Sequence, residues 1–219
     1  MKICEIFKGI QGEGRYAGIP IIFVRVSGCT RKCSYCDTKY HIKGEKMKIE
    51  KIAEKIDRLS KGKIKDICFT GGEPLLYWEE ILQLIDYLDR YFSTKYKYHL
   101  ETNGDLINTI DVFLVVVAYF NYIAISPKEE KVAKRVTRLL NELRKCECLS
   151  CEVDIKIVTD LEKVGKNLIK YATMLMPLTT FNKKKDLEIK KRVWEYCIKK
   201  GLRYSPRLHI DLWGEERGK

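Results

Sequence analysis

A chain of 219 residues that is 45% hydrophobic and 33% charged holds enough apolar material for one good-sized core and too little for two ordinary domains. No apolar run approaches the roughly 18 residues of a membrane span, and Met1-Lys2-Ile3-Cys4-Glu5 lacks the apolar core of a signal peptide, so one domain over residues 1–219 in the cytoplasm is expected. The net charge of +12 admits nucleic acid, but Lys183-Lys184-Lys185 and Lys190-Lys191-Arg192 lie along amphipathic segments without interleaved aromatics; a solvated basic surface that attracts small anions is expected, with no direct nucleic-acid or membrane contact.

In chain order, residues 21–26 read as a strand and 49–59 as a helix with Ile49, Ile52, Ile56 and Leu59 on one stripe. A strand at 67–70 ends in Gly71-Gly72, a helix spans 77–92, and a strand at 98–101 ends at Asn103-Gly104. The stretch 112–125 reads as β-rich up to Ser126-Pro127-Lys128. A charged helix at 129–145, a strand at 153–158, a helix near 161–171, a strand at 174–176 and a helix at 185–200 complete the order. Strand and helix alternating in this way predict a parallel sheet with crossover helices. Five or six units are too few to close a (β/α)8 barrel, so the expected fold is α/β: an open, partial TIM-like barrel with a mostly parallel sheet. Its site belongs at the carboxyl ends of the strands, where the motifs fall.

Nine cysteines without a secretory signal point to a reducing compartment, where thiols serve metals or catalysis. Cys29, Cys33 and Cys36 follow the first predicted strand at C-x3-C-x2-C spacing. Three thiolates are one short of a closed zinc site, whereas an iron–sulfur cube on three cysteines leaves one iron open to a further ligand. The spacing leaves both readings open, since His41 is close enough in sequence to complete a Cys3His zinc set. Thr70-Gly71-Gly72-Glu73-Pro74 ends a strand with two residues that let backbone approach closely and an acceptor suited to an ammonium group. Glu101-Thr102-Asn103-Gly104 ends another with a carboxylate suited to a ribose hydroxyl.

Together with Glu5-Ile6-Phe7-Lys8-Gly9-Ile10-Gln11-Gly12-Glu13-Gly14-Arg15, Arg25, Asp37-Thr38 and the ending Pro206-Arg207-Leu208-His209-Ile210-Asp211-Leu212-Trp213-Gly214, these motifs resemble the 7-carboxy-7-deazaguanine synthases of the radical S-adenosylmethionine superfamily over essentially the whole chain. The resemblance implies a modified partial barrel, a homodimer, and an electron donor such as flavodoxin or ferredoxin. It implies a 4Fe-4S cluster on Cys29, Cys33 and Cys36, and S-adenosylmethionine on Tyr35, Cys36, Asp37, Gly72, Ser126, Pro127 and Lys128 with Glu73 and Glu101 as helpers. Ile10, Gln11, Gly12, Glu13, Arg25, Thr70 and His209 would meet a carboxypterin substrate, and Thr38 would bind Mg2+. The implied reaction takes 6-carboxy-5,6,7,8-tetrahydropterin to 7-carboxy-7-deazaguanine with loss of ammonia.

Two features depart from the family pattern. Leu175-Met176-Pro177-Leu178-Thr179 lacks a glutamine that relatives often carry there, so a side-chain amide contact to the adenosine is lost or replaced. Cys146, Cys148 and Cys151 form an extra C-x-C-x2-C set, open to zinc or a second cluster with a fourth ligand such as Cys197, or to a loop of free thiols. The alternatives are another superfamily member, either a glycyl-radical activase or a peptide modifier, and a zinc-stabilised nucleic-acid-binding protein.

Overall fold

The computed structural model describes residues 1–34, 36 and 39–218, apart from the side chains of Lys39 and Tyr40. Nine strands form one open sheet in the order β3-β1-β2-β4-β5-β6-β7-β8-β9. They are β1 (Lys2–Ile10), β2 (Pro20–Val26), β3 (Glu45–Lys46), β4 (Asp66–Gly71), β5 (Lys97–Thr102), β6 (Tyr122–Ile125), β7 (Glu152–Thr159), β8 (Met174–Pro177) and β9 (Arg203–Tyr204). From β2 through β9 neighbours pair in parallel, while β1 runs antiparallel to both β2 and β3. The helices are α1 (Ile49–Ser60), α2 (Trp78–Tyr91), α3 (Ile110–Tyr119), α4 (Glu130–Lys145), α5 (Lys183–Lys200) and α6 (Leu208–Trp213).

Alternate residues of a strand point to opposite faces, and here the two faces differ in chemistry. Ile22, Val24, Val26, Ile67, Phe69, Leu100, Ile123, Ile125, Ile155 and Ile157 join the main apolar core. That core also takes the inward stripes of the helices, such as Ile52 and Ile56 of α1 and Ile81, Leu84, Ile85 and Leu88 of α2. The residues between them are Arg25, Thr70, His99, Glu101, Asp154 and Lys156, a polar set on the other face. Apolar residues share that face: Ile21, Phe23 and Cys68 cluster with Phe7 in its lower part, and Ala124, Val158 and Met176 line the cavity.

The open, mostly parallel sheet is the expected architecture, and four details differ from the sequence reading. Residues 110–119 form α3, whereas 112–125 reads as β-rich; only β6 of that stretch is strand. Its β-branched valines tolerate a helix because Thr109 caps it by accepting from the Val112 amide, and because Phe113, Val116, Val117 and Phe120 recur at helical spacing on a buried face. The expected helix over 161–171 is a loop followed by a 3-10 turn, Lys166–Tyr171. Asp160 draws the amides of Glu162, Lys163 and Val164 to one carboxylate oxygen, and Gly165 turns at φ 67°. β1, β3, β9 and α6 have no counterpart in the reading.

The fourth difference concerns the first motif. Because β1 is antiparallel, Ile10 pairs with Pro20, the first residue of β2. Residues 11–19 therefore leave at the amino ends of the parallel strands, not the carboxyl ends. That loop folds under the sheet: Tyr16 packs on His99 and Tyr122 with ring centroids 4.8 and 5.0 Å away, and Arg15 forks onto Asp154 at 2.9 and 3.2 Å. The open barrel is plugged from below by the segment expected to contact substrate.

Candidate active site

The polar face of the sheet and its carboxyl-end loops enclose a cavity of about 250 Å³. At its mouth the loop after β2 carries Cys29, Cys33 and Cys36, all half-buried and all lining the cavity. Thr30 donates to Asp105 at 2.7 Å, and Arg31 grips the same carboxylate through Nε and Nη2, both at 2.7 Å, while its Nη1 reaches Glu129 at 2.5 Å. Asn103 donates its amide to Thr30 at 2.8 Å and lies 3.9 Å from Cys29 Sγ. A bidentate guanidinium–carboxylate pair fixes orientation as well as distance, so the thiol loop is tied to the loops after β5 and β6.

The paired glycines have a specific structural task. A Cβ on Gly72 would stand 1.7 Å from the carbonyl oxygen of Gly28, and one on Gly71, at φ 119°, would stand 2.4 Å from that of Val26. The turn after β4 thus lies against the thiol loop, and the Glu73 amide donates to Gly28 O at 2.8 Å. Glu73, expected to accept from an ammonium group, is held here by donors of the fold. It is fully buried, does not line the cavity, and accepts from the Leu75 and Asn103 amides at 3.0 and 2.8 Å and from the Thr102 hydroxyl at 2.7 Å. Burial pushes its carboxyl up despite those bonds.

Ser126 and Lys128 line the cavity after β6, with Pro127 buried between them, and Lys128 Nζ donates to Ser126 Oγ at 2.9 Å. Burial lowers the Lys128 ammonium's pKa, while the charges of Cys33 and Cys36 act in the opposite direction. Three thiols on one anchored loop, a cation facing two of them and a mouth open to the cavity fit a thiolate-held cluster with a free face better than a closed ion site. Among the described residues no three His, Cys, Asp or Glu side chains converge on a single-ion point. His41, the candidate fourth zinc ligand, lines the cavity and its carbonyl accepts from the Gly28 amide. Tyr35, Asp37 and Thr38 lie outside the described residues.

Deeper in, Glu101 accepts from Thr70 Oγ1 at 2.7 Å and from Gln11 Nε2 at 3.3 Å. Gln11 also accepts from the Glu13 amide at 3.1 Å. Glu13 takes Lys156 Nζ at 2.6 Å and Arg207 Nε at 3.0 Å, with His209 Nε2 at 3.9 Å. Burial opposes ionisation of Glu13, but Lys156 and Arg207 outweigh it and hold the carboxyl well below its ordinary range. Burial also lowers the His209 imidazole, against the pull of Glu13. Gly12 is needed where it stands, because a Cβ there would meet His209 Nδ1 at 2.3 Å; its carbonyl accepts from Leu208 N, docking the carboxyl-terminal segment. Arg25 donates from Nε to Glu5 at 2.9 Å, under the Phe7 ring, and Glu5 also meets Arg217 at 3.4 Å.

Every described candidate except Gly12, Glu73 and Pro127 lines this one cavity, and those three support residues that do. Lys156 and Asp105 stand outside the motifs read from the sequence, and Glu5, Asn103 and Arg207 stand inside them without a role in the site. One signal was available: Asp154 and Lys156 alternate with Val153, Ile155 and Ile157, which places charge on one face of a buried strand. Met176 and Leu178 line the cavity where the family glutamine is missing, so that wall is apolar, and Thr179 accepts from Arg207 at 3.0 Å. Cys146 and Cys148 are exposed beyond α4, with Cys148 Sγ donating to the Cys146 carbonyl at 3.2 Å; burial pushes the Cys151 thiol up to about 12.

Residues 23–204 match the Radical SAM superfamily. The 7-carboxy-7-deazaguanine synthase of Thermoplasma acidophilum is 36% identical over all of both chains, and that of Pyrobaculum aerophilum is 30% identical over 100% of this chain and 97% of the relative. The crystal structure of QueE from Escherichia coli superposes with a TM-score of 0.60, covering 95% of this chain and 94% of that one at 21% identity, a likeness of fold.

Proposed function

We propose, from the premise that the chain belongs to the radical SAM superfamily and within it to the 7-carboxy-7-deazaguanine synthases, that it converts 6-carboxy-5,6,7,8-tetrahydropterin to 7-carboxy-7-deazaguanine with loss of ammonia. The observation that carries this reading is the gathering of the thiol loop and the Gln11, Glu13, Arg25, Thr70 and His209 set around one cavity in a chain that matches these relatives end to end.

A 4Fe-4S cluster and S-adenosylmethionine supply the one-electron chemistry that starts a carbon-centred rearrangement. Cys29, Cys33 and Cys36 hold the cluster, and the Arg31–Asp105 fork keeps their loop in place. Gly72, Ser126 and Lys128 face the cofactor, with Met176 and Leu178 as its apolar wall. Glu73 acts behind them by fixing Thr102 and Asn103. On the substrate side, Arg25, which donates from Nε to Glu5 and lines the cavity, meets the carboxylate, because a planar guanidinium matches carboxylate geometry. Gln11, Glu13, Thr70 and His209 face the ring, and Ile10 lines the cavity from the amino end of β2. The plug of residues 11–19 and the residues around Lys156 keep water from the base of the cavity. Mg2+ at Thr38 is carried by resemblance alone, on a residue outside those described.

The reading extends to a single radical SAM domain over residues 1–219, a cytoplasmic setting, a homodimer and a flavodoxin or ferredoxin donor. Leu187, Trp194 and Ile198, exposed along one side of α5, support the dimer; the +12 charge suits an acidic donor. No helix of the described residues is long and apolar enough to cross a membrane.

The test is an anaerobic incubation of the reconstituted protein with reductant, S-adenosylmethionine and the carboxypterin, with mass analysis of the product. Formation of the deazaguanine acid, abolished in Cys33→Ala, is expected. Cofactor cleavage without that product would move the chain to another activity of the superfamily.

A further inference from the structure

Lys156 lies mid-strand on β7 and is one of the most deeply buried cations of the fold, its side chain only 5% exposed. Withdrawing an ammonium from water so far is costly unless it is paired, and an apolar side chain of similar length would occupy the same path without that cost. Its partners explain its presence. Nζ donates to Glu13 Oε2 at 2.6 Å and stands 4.0 Å from Glu101 Oε1, so one charge bridges a carboxylate of the plug and a carboxylate of β5. No other described contact joins those two carboxylates directly; Gln11 links them only through a neutral amide and the Glu13 backbone.

A buried lysine could act as a proton donor or as a fixed charge, and the surroundings decide between them. Burial alone would pull its pKa down towards a useful acid, but Glu13 and Glu101 outweigh burial and push it up. The proton stays on nitrogen.

We infer that Lys156 is a positioning residue of the substrate site, which holds Glu13 as an anion at a set separation from Glu101 in the deep end of the cavity, so that the cavity offers acceptors to a heterocycle carrying adjacent N–H donors and rejects one presenting acceptors there. The inference rests on the proposed function, in which Glu13 faces the substrate. The groups around Glu13 are Lys156 from β7, Arg207 and His209 from the carboxyl-terminal segment, Glu101 from β5 and, further off, Arg25 from β2. With Lys156 neutral, Glu13 keeps Arg207 but loses its shortest charged contact, and a carboxylate desolvated to this degree then takes up a proton nearer neutrality.

The experiment compares the wild-type holoenzyme with Lys156→Gln and Lys156→Arg. Losing one charge-assisted contact predicts that Lys156→Gln raises KM for the carboxypterin roughly 10- to 100-fold at pH 7, with kcat changed far less. KM should climb further as pH falls from 8 to 6, a limb absent from the wild type. Lys156→Arg should recover most of the loss. A wild-type KM and a flat pH profile in Lys156→Gln would overturn the inference.

A second readout needs no substrate. In the same holoenzyme, the His209 imidazole titration followed by NMR should shift in Lys156→Gln, because Glu13, whose ionisation Lys156 supports, stands 3.9 Å from His209 Nε2. An unshifted titration would overturn the inference even if KM changed. If the wild type does not convert the carboxypterin, the proposed function falls and the His209 titration alone decides about Lys156. Should Lys156→Gln fail to fold, the double variant with Glu13→Gln decides: recovery of the fold supports the charge pair, and continued failure shows a packing role instead.

Discussion

Replacing Gly72 by alanine sets a methyl group where the backbone of the thiol loop already lies, 1.7 Å from Gly28 O, 2.5 Å from its carbon and 3.2 Å from the Cys29 amide nitrogen. All three atoms belong to backbone, so no side chain can swing aside. Relief requires the turn after β4 and the thiol loop to part by more than 1 Å, which breaks the 2.8 Å bond from the Glu73 amide to Gly28 O. A lost backbone hydrogen bond contributes about 1 kcal/mol and overpacking about 1–3 kcal/mol more. A total near 3 kcal/mol lowers Tm by roughly 6–12 °C for a chain of this size. The larger effect is on the site: Cys29 moves relative to Asn103, and Glu73 no longer holds Thr102 and Asn103 at the same place. Calorimetry and iron and sulfide content per chain are the assays. We expect a folded protein of lowered Tm whose cluster content falls below half that of the wild type. A Gly72→Ala protein with full cluster content and full turnover would refute the claim that the paired glycines exist to let these two loops touch.

Arg25→Ala should raise KM for the carboxypterin by roughly 10- to 100-fold, the loss of one or two charge-assisted bonds, while leaving cluster content unchanged; steady-state kinetics and iron analysis check both. Asp154→Asn should destabilise by about 1–2 kcal/mol at pH 7, since Asp154 holds Arg15 and Thr173. Burial opposes ionisation of Asp154, but Arg15 and Thr173 outweigh it and depress the folded pKa, so the stabilisation is present above the unfolded value of about 3.9 and is lost as pH falls through the folded one. Urea melts of both proteins should therefore differ at pH 6–8 and converge below pH 4. Serine at Cys146, Cys148 and Cys151 together should keep turnover within about tenfold of wild type, a difference of ~1.4 kcal/mol, because none of the three lines the cavity. A folded triple variant that keeps its cluster but loses activity would contradict this.

What the sequence by itself determined is what local chemistry determines. Cys29, Cys33 and Cys36 must share one loop because only six residues lie between the outer two, and Gly71-Gly72 and Asn103-Gly104 must end strands because their neighbours alternate and they do not. The stripes of α1, α2 and α4 were legible for the same reason: Ile52 and Ile56 meet the core by their spacing alone. Strand–helix alternation fixed a parallel, open sheet. What the tertiary structure decided involves partners distant in sequence. Propensity favours strand for the valines of α3, and only the Thr109 cap and the core beneath Phe113 and Val116 overrule it. The antiparallel pairing of β1 sends Gln11 and Glu13 in from the base of the barrel, a reversal that no short motif records. The bonds that Glu73 accepts from Thr102 and Asn103 come from β5 and the turn after it, partners that its own motif does not record. Lys156 acquires its role only where β7, β5, the plug and Arg207 converge, because the energy of a buried charge is set by the charges around it and not by its position in the chain.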